Sequence, residues 1–486
     1  MSVSRIIGPK VDPAILGQPL KFRSGKTSKN RLFKAPLSEK LYNWKENEIS
    51  KRGNVNTQII NLYKKWGTSG FGVIFTGNLA TDSRFIGEGG QGVVSVENTS
   101  NEKSRNLLKQ LSEAMKSEGS LAIAQINHVG KLALEYYYDN QGNRHVMYSK
   151  IEDPLTFSTD QIQTEILEKF KYSAKTLYDC GFDGIEVHGA HGMLFNQFLE
   201  PKNQRTDEYG GESIDNRSRL LINTYLEIRK SIPQETGFLI GVKLNSTDFQ
   251  SCGISDEEVS RLCELIENVG FDFVELTGGA MESAVKELNQ RESTVARENF
   301  FFQFVDRCSN IFKETKVFIT GRWQTTNAMI NSIKMNLTDA IGFGRWSCAE
   351  PQFPQKVLAG EIHSIPDIKF APSDFKIAKH AAHQQMKEIS LGEQLSDFTV
   401  KENADHFKQA CSFCRHCLLF AVPRKSKAAF AFTRKKQSHA QQSCFAFCRQ
   451  SKMNMPDFKV QAEQYIDNLG TYQNMDSHAG IIDYKL

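Results

Sequence analysis

Two histidines, His188 and His191, lie three residues apart in the stretch GFDGIEVHGAHGMLFNQFL, residues 181–199. They follow an apolar run that predicts a buried strand, and they precede a pattern that predicts a helix. Three roles are open to such a pair: structural hydrogen bonding, metal ligation, or two ring N–H groups that donate to one substrate oxygen. No nearby carboxylate or cysteine completes a set of metal ligands. In the third role, the pair would polarise a carbonyl group or hold a phenolate.

Gln125 and Lys243 also lie in predicted apolar strands, near their ends. The Gln125 amide offers a donor and an acceptor, which match the imide edge of a pyrimidine-like ring. A cation at Lys243 would stabilise a reduced, anionic ring by charge attraction. Taken singly, each residue is better explained as a structural hydrogen-bonding group.

Two Gly–Arg pairs, Gly321-Arg322 and Gly344-Arg345, follow the last two predicted strands. Glycine lets backbone N–H groups approach an oxyanion, and arginine adds a charged fork that matches phosphate. A turn glycine followed by a solvated arginine explains either pair alone. Two pairs on successive strands favour a phosphate site.

Short apolar runs alternate with longer amphipathic stretches up to about residue 360, as they do in α/β proteins. Eight strand–helix units predict a (β/α)8 TIM barrel, and a doubly wound open sheet is the alternative that the same alternation permits. Helices are expected to begin near Thr159/Asp160, Ser255 and Thr325. Insertions are expected at residues 129–160 and 190–214. The predicted strands are 32–37, 71–77, 121–127, 184–188, 238–245, 273–277, 316–320 and 340–344.

A barrel would bring the polar residues together, because its catalytic groups lie at the C-terminal ends of the strands. That rim would collect an amide, a lysine, several histidines and both Gly–Arg pairs, which suits a phosphorylated ligand with a polar ring. The expected rim residues are Ser38, Gly77, Gln125, His128, His188, His191, Lys243, residues 277–279 and the two Gly–Arg pairs.

Composition places the chain among soluble globular proteins: 486 residues, 40% of them apolar and 24% charged. No run of about 18 apolar residues predicts a transmembrane helix. The N-terminal residues lack the apolar core of a signal peptide, so a cytoplasmic protein with reduced cysteines is expected.

Residues 188–217 closely resemble the signature of the old yellow enzyme family of FMN-dependent NAD(P)H oxidoreductases; they read HGAHGMLFNQFLEPKNQRTDEYGGESIDNR. The blocks KNRLFKAPLS, AQINHVGK, VKLN, VELTGG, ITGRW and IGFGRW resemble its other segments, in the same order. The resemblance covers roughly residues 12–365. It implies an FMN-binding barrel domain over residues 1–365, followed by an atypical extension over residues 366–486.

The resemblance also implies roles for individual residues. Pro36, Leu37 and Ser38 match the segment beside the flavin, with Ser38 at the position that tunes the ring. Gln125 matches the residue that holds the pyrimidine edge. Lys243 stands where many members have an arginine. Lysine keeps the positive charge but lacks the planar guanidinium group that donates two parallel hydrogen bonds. Gly77 is expected beside the cofactor, both Gly–Arg pairs match the phosphate site, and His188 and His191 match the pair that binds the substrate oxygen.

Met193 departs from the family pattern, in which a tyrosine at this position protonates the alkene carbon. A thioether carries no proton to donate. We therefore expect hydride transfer from NADH or NADPH through FMN to an enone, quinone or similar acceptor. The alternative is an FMN-binding protein with weak or no alkene reduction. Tyr42 or Tyr136–Tyr138 are candidate substitute donors, and solvent, a quinone or O₂ would remove the need for one.

The C-terminal extension carries most of the unusual composition. Residues 406–452 contain ten basic residues and no acidic one, as well as half of the ten cysteines. A disordered or atypical insertion over about residues 405–452 is the main expectation, and a zinc or cluster module and a nucleic-acid or membrane contact are the alternatives. For the whole chain, we expect a small-molecule substrate, no nucleic-acid or membrane partner and no metal ion. A homodimer is compatible with this prediction.

Overall fold

Eight parallel strands, β1 to β8, form a closed barrel in the computed structural model. Each strand pairs with the next along the chain, and β8 pairs with β1 to complete the ring. The structure describes residues 3–44, 48–133, 136–138, 144–146, 152–245, 254–277, 305, 308–320, 323–370 and 374–413. The strands are β1 Leu32–Lys34, β2 Val73–Phe75, β3 Leu121–Asn127, β4 Gly184–Gly189, β5 Leu239–Asn245, β6 Phe273–Thr277, β7 Lys316–Thr320 and β8 Ala340–Phe343.

The eight predicted strands and the barrel are confirmed, and the open sheet is wrong. The strands are buried on both faces, which is why they read as continuous apolar runs in the sequence. Their register places Gln125 beside Glu186, His188 beside Lys243, and Lys243 beside Glu275. The polar residues of β3 to β6 therefore form one group inside the barrel.

Helices surround the strands and begin at residues that cap their free N–H groups. Ser255 caps α6 in a capping box with Glu258, and the Thr325 hydroxyl caps α7, as predicted. The predicted start at Thr159/Asp160 is one residue late, because Ser158 is the capping residue. The main helices are α1 Thr57–Gly67, α2 Glu102–Met115, α3 Glu168–Asp179, α4 Leu194–Leu199, α5 Ile214–Ser231, α6 Asp256–Val269, α7 Thr326–Lys334, α8 Phe353–Leu358, α9 Phe375–Leu391 and α10 Lys401–Phe413.

Aromatic rings close the interior at the N-terminal end of the barrel. Phe273 and Phe318 stack at 5.1 Å, and Phe33 lies 4.8 Å from Phe318. Gly241 makes room for this cluster, since a Cβ there would lie 2.1 Å from the Phe273 ring. Each buried ring contributes roughly 1.5–3 kcal/mol. Because apolar rings fill this end, the polar groups gather towards the other end.

Helices α9 and α10 lie beyond residue 365, where the barrel domain was predicted to end. Helix α9 packs against α1, and the Asn61 amide donates to the Ser390 carbonyl at 3.3 Å. Helix α10 continues through residues 405–413, the first residues of the segment predicted to be irregular. The rest of that segment, residues 414–452, lies outside the described residues, so its structure and the domain boundary stay predictions.

The predicted insertion after β3 contains a two-stranded antiparallel hairpin, Tyr136–Tyr138 with Arg144–Val146. The insertion after β4 contains α4. Among the described helices, none has both the length and the apolar character needed to cross a membrane.

Candidate active site

The segment after β1 carries Pro36, Leu37 and Ser38 onto the C-terminal rim of the barrel, as predicted. The Ser38 hydroxyl donates to Oδ1 of Asn78 at 3.1 Å. Gly77, after β2, donates its N–H to Oε1 of Glu39 at 2.9 Å. A side chain at Gly77 would have its Cβ 2.0 Å from Oε2 of Glu39 and 2.3 Å from the Leu37 carbonyl oxygen. Only glycine fits where these two rim segments meet.

Gln125 lies on β3 with its side chain buried inside the barrel. Its Nε2 donates to Oε2 of Glu186, on the neighbouring strand, at 2.6 Å. The amide is thereby oriented, with its nitrogen towards the protein. Its carbonyl oxygen is then the atom with which Gln125 would accept a hydrogen bond from a ring N–H.

Lys243 lies on β5 and is also buried, so it is not a surface lysine. Its Nζ forms an ion pair with Oε1 of Glu275 at 2.7 Å. The Thr320 hydroxyl donates to the same carboxylate oxygen. An ammonium carries three N–H donors, and this ion pair uses one of them. The site therefore contains a fixed cation accompanied by a carboxylate.

His188 and His191 come together at the end of β4, with Nε2 of His188 3.4 Å from Nδ1 of His191. Nδ1 of His188 accepts the Ala190 N–H at 3.3 Å, which places the ring proton on Nε2. Burial lowers the pKa of His188 well below its usual value. Burial also lowers the pKa of His191, to about 3, and the positive charge of Lys243 lowers it further. Both rings are neutral at pH 7, and each keeps an N–H group for donation.

The turn that carries His191 has an uncommon backbone. His191 has a φ of 60°, in the left-handed region that side chains rarely adopt. Two side chains of α4 hold the turn: Oδ1 of Asn196 accepts the Gly192 N–H at 2.9 Å, and Nε2 of Gln197 donates to the Gly192 carbonyl at 2.7 Å. Strain of this kind is concentrated at functional sites, where the surroundings fix it.

Met193 is the N-cap residue of α4 and is partly buried against the main core. Its sulfur lies 4.0 Å from Nδ2 of Asn127, and Asn127 is held in turn by Gln91 at 3.0 Å. Tyr42, a candidate substitute donor, is buried, and burial and the Glu39 carboxyl raise its pKa well above the usual value. The side chains of Tyr136–Tyr138 lie outside the described residues.

His128 lies at the end of β3 beneath the rim. Its Nδ1 accepts the Gly130 N–H at 3.1 Å, and its ring packs against Phe85 at 4.2 Å. Burial lowers its pKa to about 4, so it is neutral at pH 7. These contacts assign His128 a packing role at the edge of the site.

Of the predicted phosphate-binding residues, Gly344 and Arg345 follow β8, and Arg345 is the N-cap residue of the short helix Trp346–Ala349. Trp66 of α1 supports this helix by donating Nε1 to the Ser347 carbonyl at 2.8 Å. The other pair, Gly321 and Arg322, lies outside the described residues. Their part in a phosphate site stays a prediction.

Several polar residues near the site were not predicted from the sequence. Glu186 and Glu275 hold Gln125 and Lys243 inside the barrel. His383 of α9 contacts the Ser38 carbonyl through Nε2 at 2.9 Å. Lys379, also on α9, is close enough to His191 to help lower its pKa, after the larger effects of burial and Lys243. Helix α9 therefore supports the first rim segment and adds positive charge near the histidine pair.

Comparison with known proteins agrees with this geometry. The family model described as the NADH:flavin oxidoreductase / NADH oxidase family matches residues 16–363. The NADH-dependent flavin oxidoreductase nadA of Aspergillus parasiticus is 32% identical over 421 residues, which cover 82% of this chain and 90% of that protein. The NADH-dependent flavin oxidoreductase iliE of Hypocrea jecorina is 27% identical over 375 residues, with 72% and 90% covered.

Solved structures show the same barrel. Morphinone reductase superposes with a TM-score of 0.56 at 20% identity, covering 72% of this chain and 91% of that chain. The old yellow enzyme from Trypanosoma cruzi gives 0.57 at 16% identity, with 73% and 94% covered. At these identities the likeness establishes the fold, and the family match identifies the chemistry. The chain belongs to the NADH:flavin oxidoreductase / NADH oxidase family and is an FMN-dependent NAD(P)H oxidoreductase with an old yellow enzyme barrel.

Proposed function

We propose that this enzyme reduces a small acceptor whose oxygen atom is held by His188 and His191, and that quinones are better acceptors than enones. The observation that carries the proposal is the neutral histidine pair, with its ring nitrogens 3.4 Å apart at the end of β4. That separation is long for a hydrogen bond between the two rings. An acceptor oxygen to one side of the pair, within normal hydrogen-bonding distance of both nitrogens, would receive stronger bonds from both.

The donor set at the rim fits FMN. Gln125 would hold the imide edge of the ring, Lys243 its pyrimidine end, Ser38 its edge beside β1, and Arg345 the phosphate. Pro36, Leu37 and Gly77 would lie against the ring, and Gly344, Gly321 and Arg322 would complete the phosphate site. When bound, FMN accepts hydride from NADH or NADPH and passes it to the acceptor.

The histidine pair would act on the acceptor by electrostatics. Reduction of a carbonyl or quinone places negative charge on its oxygen, and N–H donors fixed in advance stabilise that charge. Loss of one such donor typically lowers the rate by about 10²–10³-fold. Because both rings are buried and neutral, they donate hydrogen bonds without a competing positive charge that would bind simple anions.

Met193 supports the preference for quinones. An enone needs a proton at carbon after hydride transfer, and a thioether does not supply it. A quinone takes its proton on oxygen, where exchange with solvent is direct. Because burial and Glu39 raise the pKa of Tyr42 well above its usual value, Tyr42 is a weaker acid than an ordinary tyrosine and a poor replacement for the missing donor. The same observation supports the second candidate, a flavin-binding protein with weak alkene reduction.

Anaerobic acceptor kinetics test the proposal. The purified protein should be yellow, and NADH or NADPH should bleach it in the absence of O₂. Adding a benzoquinone should restore the colour at least 10-fold faster than adding a cyclohexenone at equal concentration. Faster recovery with the enone would refute the quinone preference, and a colourless protein that FMN does not reconstitute would refute the flavin site.

A cytoplasmic location is part of this proposal. The described cysteines Cys180, Cys308, Cys348 and Cys411 are free thiols, as expected in a reducing compartment. The Cys263 thiol donates to the Cys308 sulfur at 3.4 Å. Cell fractionation with an antibody would test this. A homodimer and the absence of nucleic-acid, membrane and metal partners stay predictions.

A further inference from the structure

Two glutamates, Glu186 on β4 and Glu275 on β6, are completely buried inside the barrel on either side of the strand that carries Lys243. Glutamate is rarely buried without a partner, because removing a carboxylate from water is costly. Neither residue belongs to the set of cofactor and substrate contacts described above. Their hydrogen bonds indicate why both are tolerated.

Each carboxyl group has one oxygen with conventional donors. Oε2 of Glu186 accepts from Gln125 at 2.6 Å, and Oε1 of Glu275 accepts from Lys243 at 2.7 Å and from the Thr320 hydroxyl. The other oxygens, Oε1 of Glu186 and Oε2 of Glu275, receive no donor from any other described residue. Strand β5 lies between the two strands that carry them, and, against the effect of burial, Lys243 and a hydrogen bond from Glu186 lower the pKa of Glu275.

The charges around the pair do not balance two carboxylates. Lys243 contacts Glu275 directly, whereas Lys34 of β1 acts on Glu275 from further away. The Lys34 ammonium is bound to the Phe75 carbonyl at 2.9 Å and lies 4.3 Å from the Trp66 ring centre. Neighbouring buried carboxylates repel each other, so one of them keeps a proton. Burial and the charge of Glu275 both raise the pKa of Glu186.

We propose that Glu186 is a neutral acid whose O–H donates a hydrogen bond to Glu275, and that ionised Glu275 lowers the reduction potential of the bound flavin by offsetting the charge of Lys243. Both glutamates are positioning residues in this scheme. Glu186 orients the Gln125 amide, and Glu275 fixes the Lys243 ammonium. The second part rests on the proposed placement of FMN over Gln125 and Lys243.

The direction of the effect follows from charge. Adding electrons to the flavin places negative charge near Lys243, and the carboxylate of Glu275 opposes it. Removing that carboxylate should therefore favour the reduced flavin. Replacing Glu186 by glutamine should change little, because a glutamine oxygen still accepts from Gln125 and its NH₂ group donates to Glu275, as the protonated acid does.

Potentiometric titration of the FMN-loaded protein compares Glu275→Gln, Glu186→Gln and Glu235→Gln. Glu235 is an exposed control at the opposite end of the barrel, before β5. Glu275→Gln should raise the equilibrium constant for two-electron reduction at least 10-fold, about 30 mV. Glu186→Gln and Glu235→Gln should stay within about threefold of the parent. An equal rise in Glu186→Gln and Glu275→Gln would overturn the proposal, because Glu186 would then be a carboxylate.

Infrared spectroscopy of the unsubstituted protein tests the shared proton without relying on a variant that misfolds. A protonated carboxyl group should give a C=O stretching band that shifts in D₂O and is lost in Glu186→Gln. Absence of this band from the unsubstituted protein would overturn the assignment. The band should be present without FMN, so its loss is distinguishable from failure of the flavin site.

Discussion

Replacing Met193 by tyrosine introduces a hydroxyl group at the start of α4, next to the turn that carries His191. The backbone there is fixed independently of the side chain: the Met193 N–H donates to the Ala190 carbonyl at 3.1 Å, and the Leu194 N–H donates to the His128 carbonyl at 2.9 Å. The substitution therefore keeps the position of residue 193 and changes the chemistry of its side chain.

The expected gain in enone reduction is about 10²-fold. General acids typically raise the rate about 10²–10⁴-fold. We take the lower end of this range because Asn127 and Gln91 are arranged around the Met193 thioether and not around a hydroxyl group. This gain corresponds to about 2.7 kcal/mol in the barrier. The larger ring in a partly buried site should lower stability by about 1–3 kcal/mol. Quinone reduction should change less than about threefold, because it needs no proton on carbon.

The assay is anaerobic reoxidation of the reduced enzyme by an enone and by a quinone, measured for the unsubstituted protein, Met193→Tyr and Met193→Phe. Phenylalanine is the matched control, since it adds the ring without the hydroxyl. The missing-acid reasoning is refuted if phenylalanine raises enone reduction as much as tyrosine does. It is also refuted if the unsubstituted protein is already fast and tyrosine adds nothing.

Three further predictions concern charge. Burial raises the pKa of Asp82, but Arg84 and Lys169 outweigh it and hold that pKa well below 3.8. Asp82→Asn should therefore cost about 2–3 kcal/mol at pH 7. The loss should shrink below about pH 4, where the aspartate of the unfolded parent takes up a proton while that of the folded parent is still ionised, so a constant difference in thermal unfolding from pH 7 to pH 3 would contradict it. Buried Arg217 donates to the Leu199, Gly211 and Glu212 carbonyls and to Glu258, so Arg217→Met should cost about 3–5 kcal/mol by denaturant titration, and a loss below 1 kcal/mol would count against this role. Arg345→Met should weaken FMN binding at least 10-fold but leave riboflavin binding unchanged in equilibrium dialysis, and an equal loss for both would exclude a phosphate contact.

The sequence predicted the barrel and much of its rim for a physical reason. Strands buried on both faces must be apolar, so the eight runs were visible, and parallel closure then placed their C-terminal ends together. Local spacing was sufficient for each of these features.

The buried acids and the role of α9 were missed for different reasons. Glu186 and Glu275 stand in the middle of the apolar runs GIEVH and VELT, and a charged residue inside a doubly buried strand was a usable signal. By contrast, His383 contacts the Ser38 carbonyl although the two residues are 345 positions apart in the sequence. No periodicity or motif links two such distant segments, so this contact depends on tertiary packing.

The most direct test of the central claim measures how fast chemically reduced, FMN-loaded enzyme transfers electrons to a quinone in one turnover. Dithionite reduction bypasses NADH, so only the acceptor step is observed. His188→Ala and His191→Gly are suitable variants, because glycine adopts the left-handed backbone of residue 191 without strain. Each should slow reoxidation by about 10²-fold or more with an unchanged flavin spectrum. Rates within about threefold of the parent would contradict the assignment of His188 and His191 as the groups that hold the acceptor oxygen.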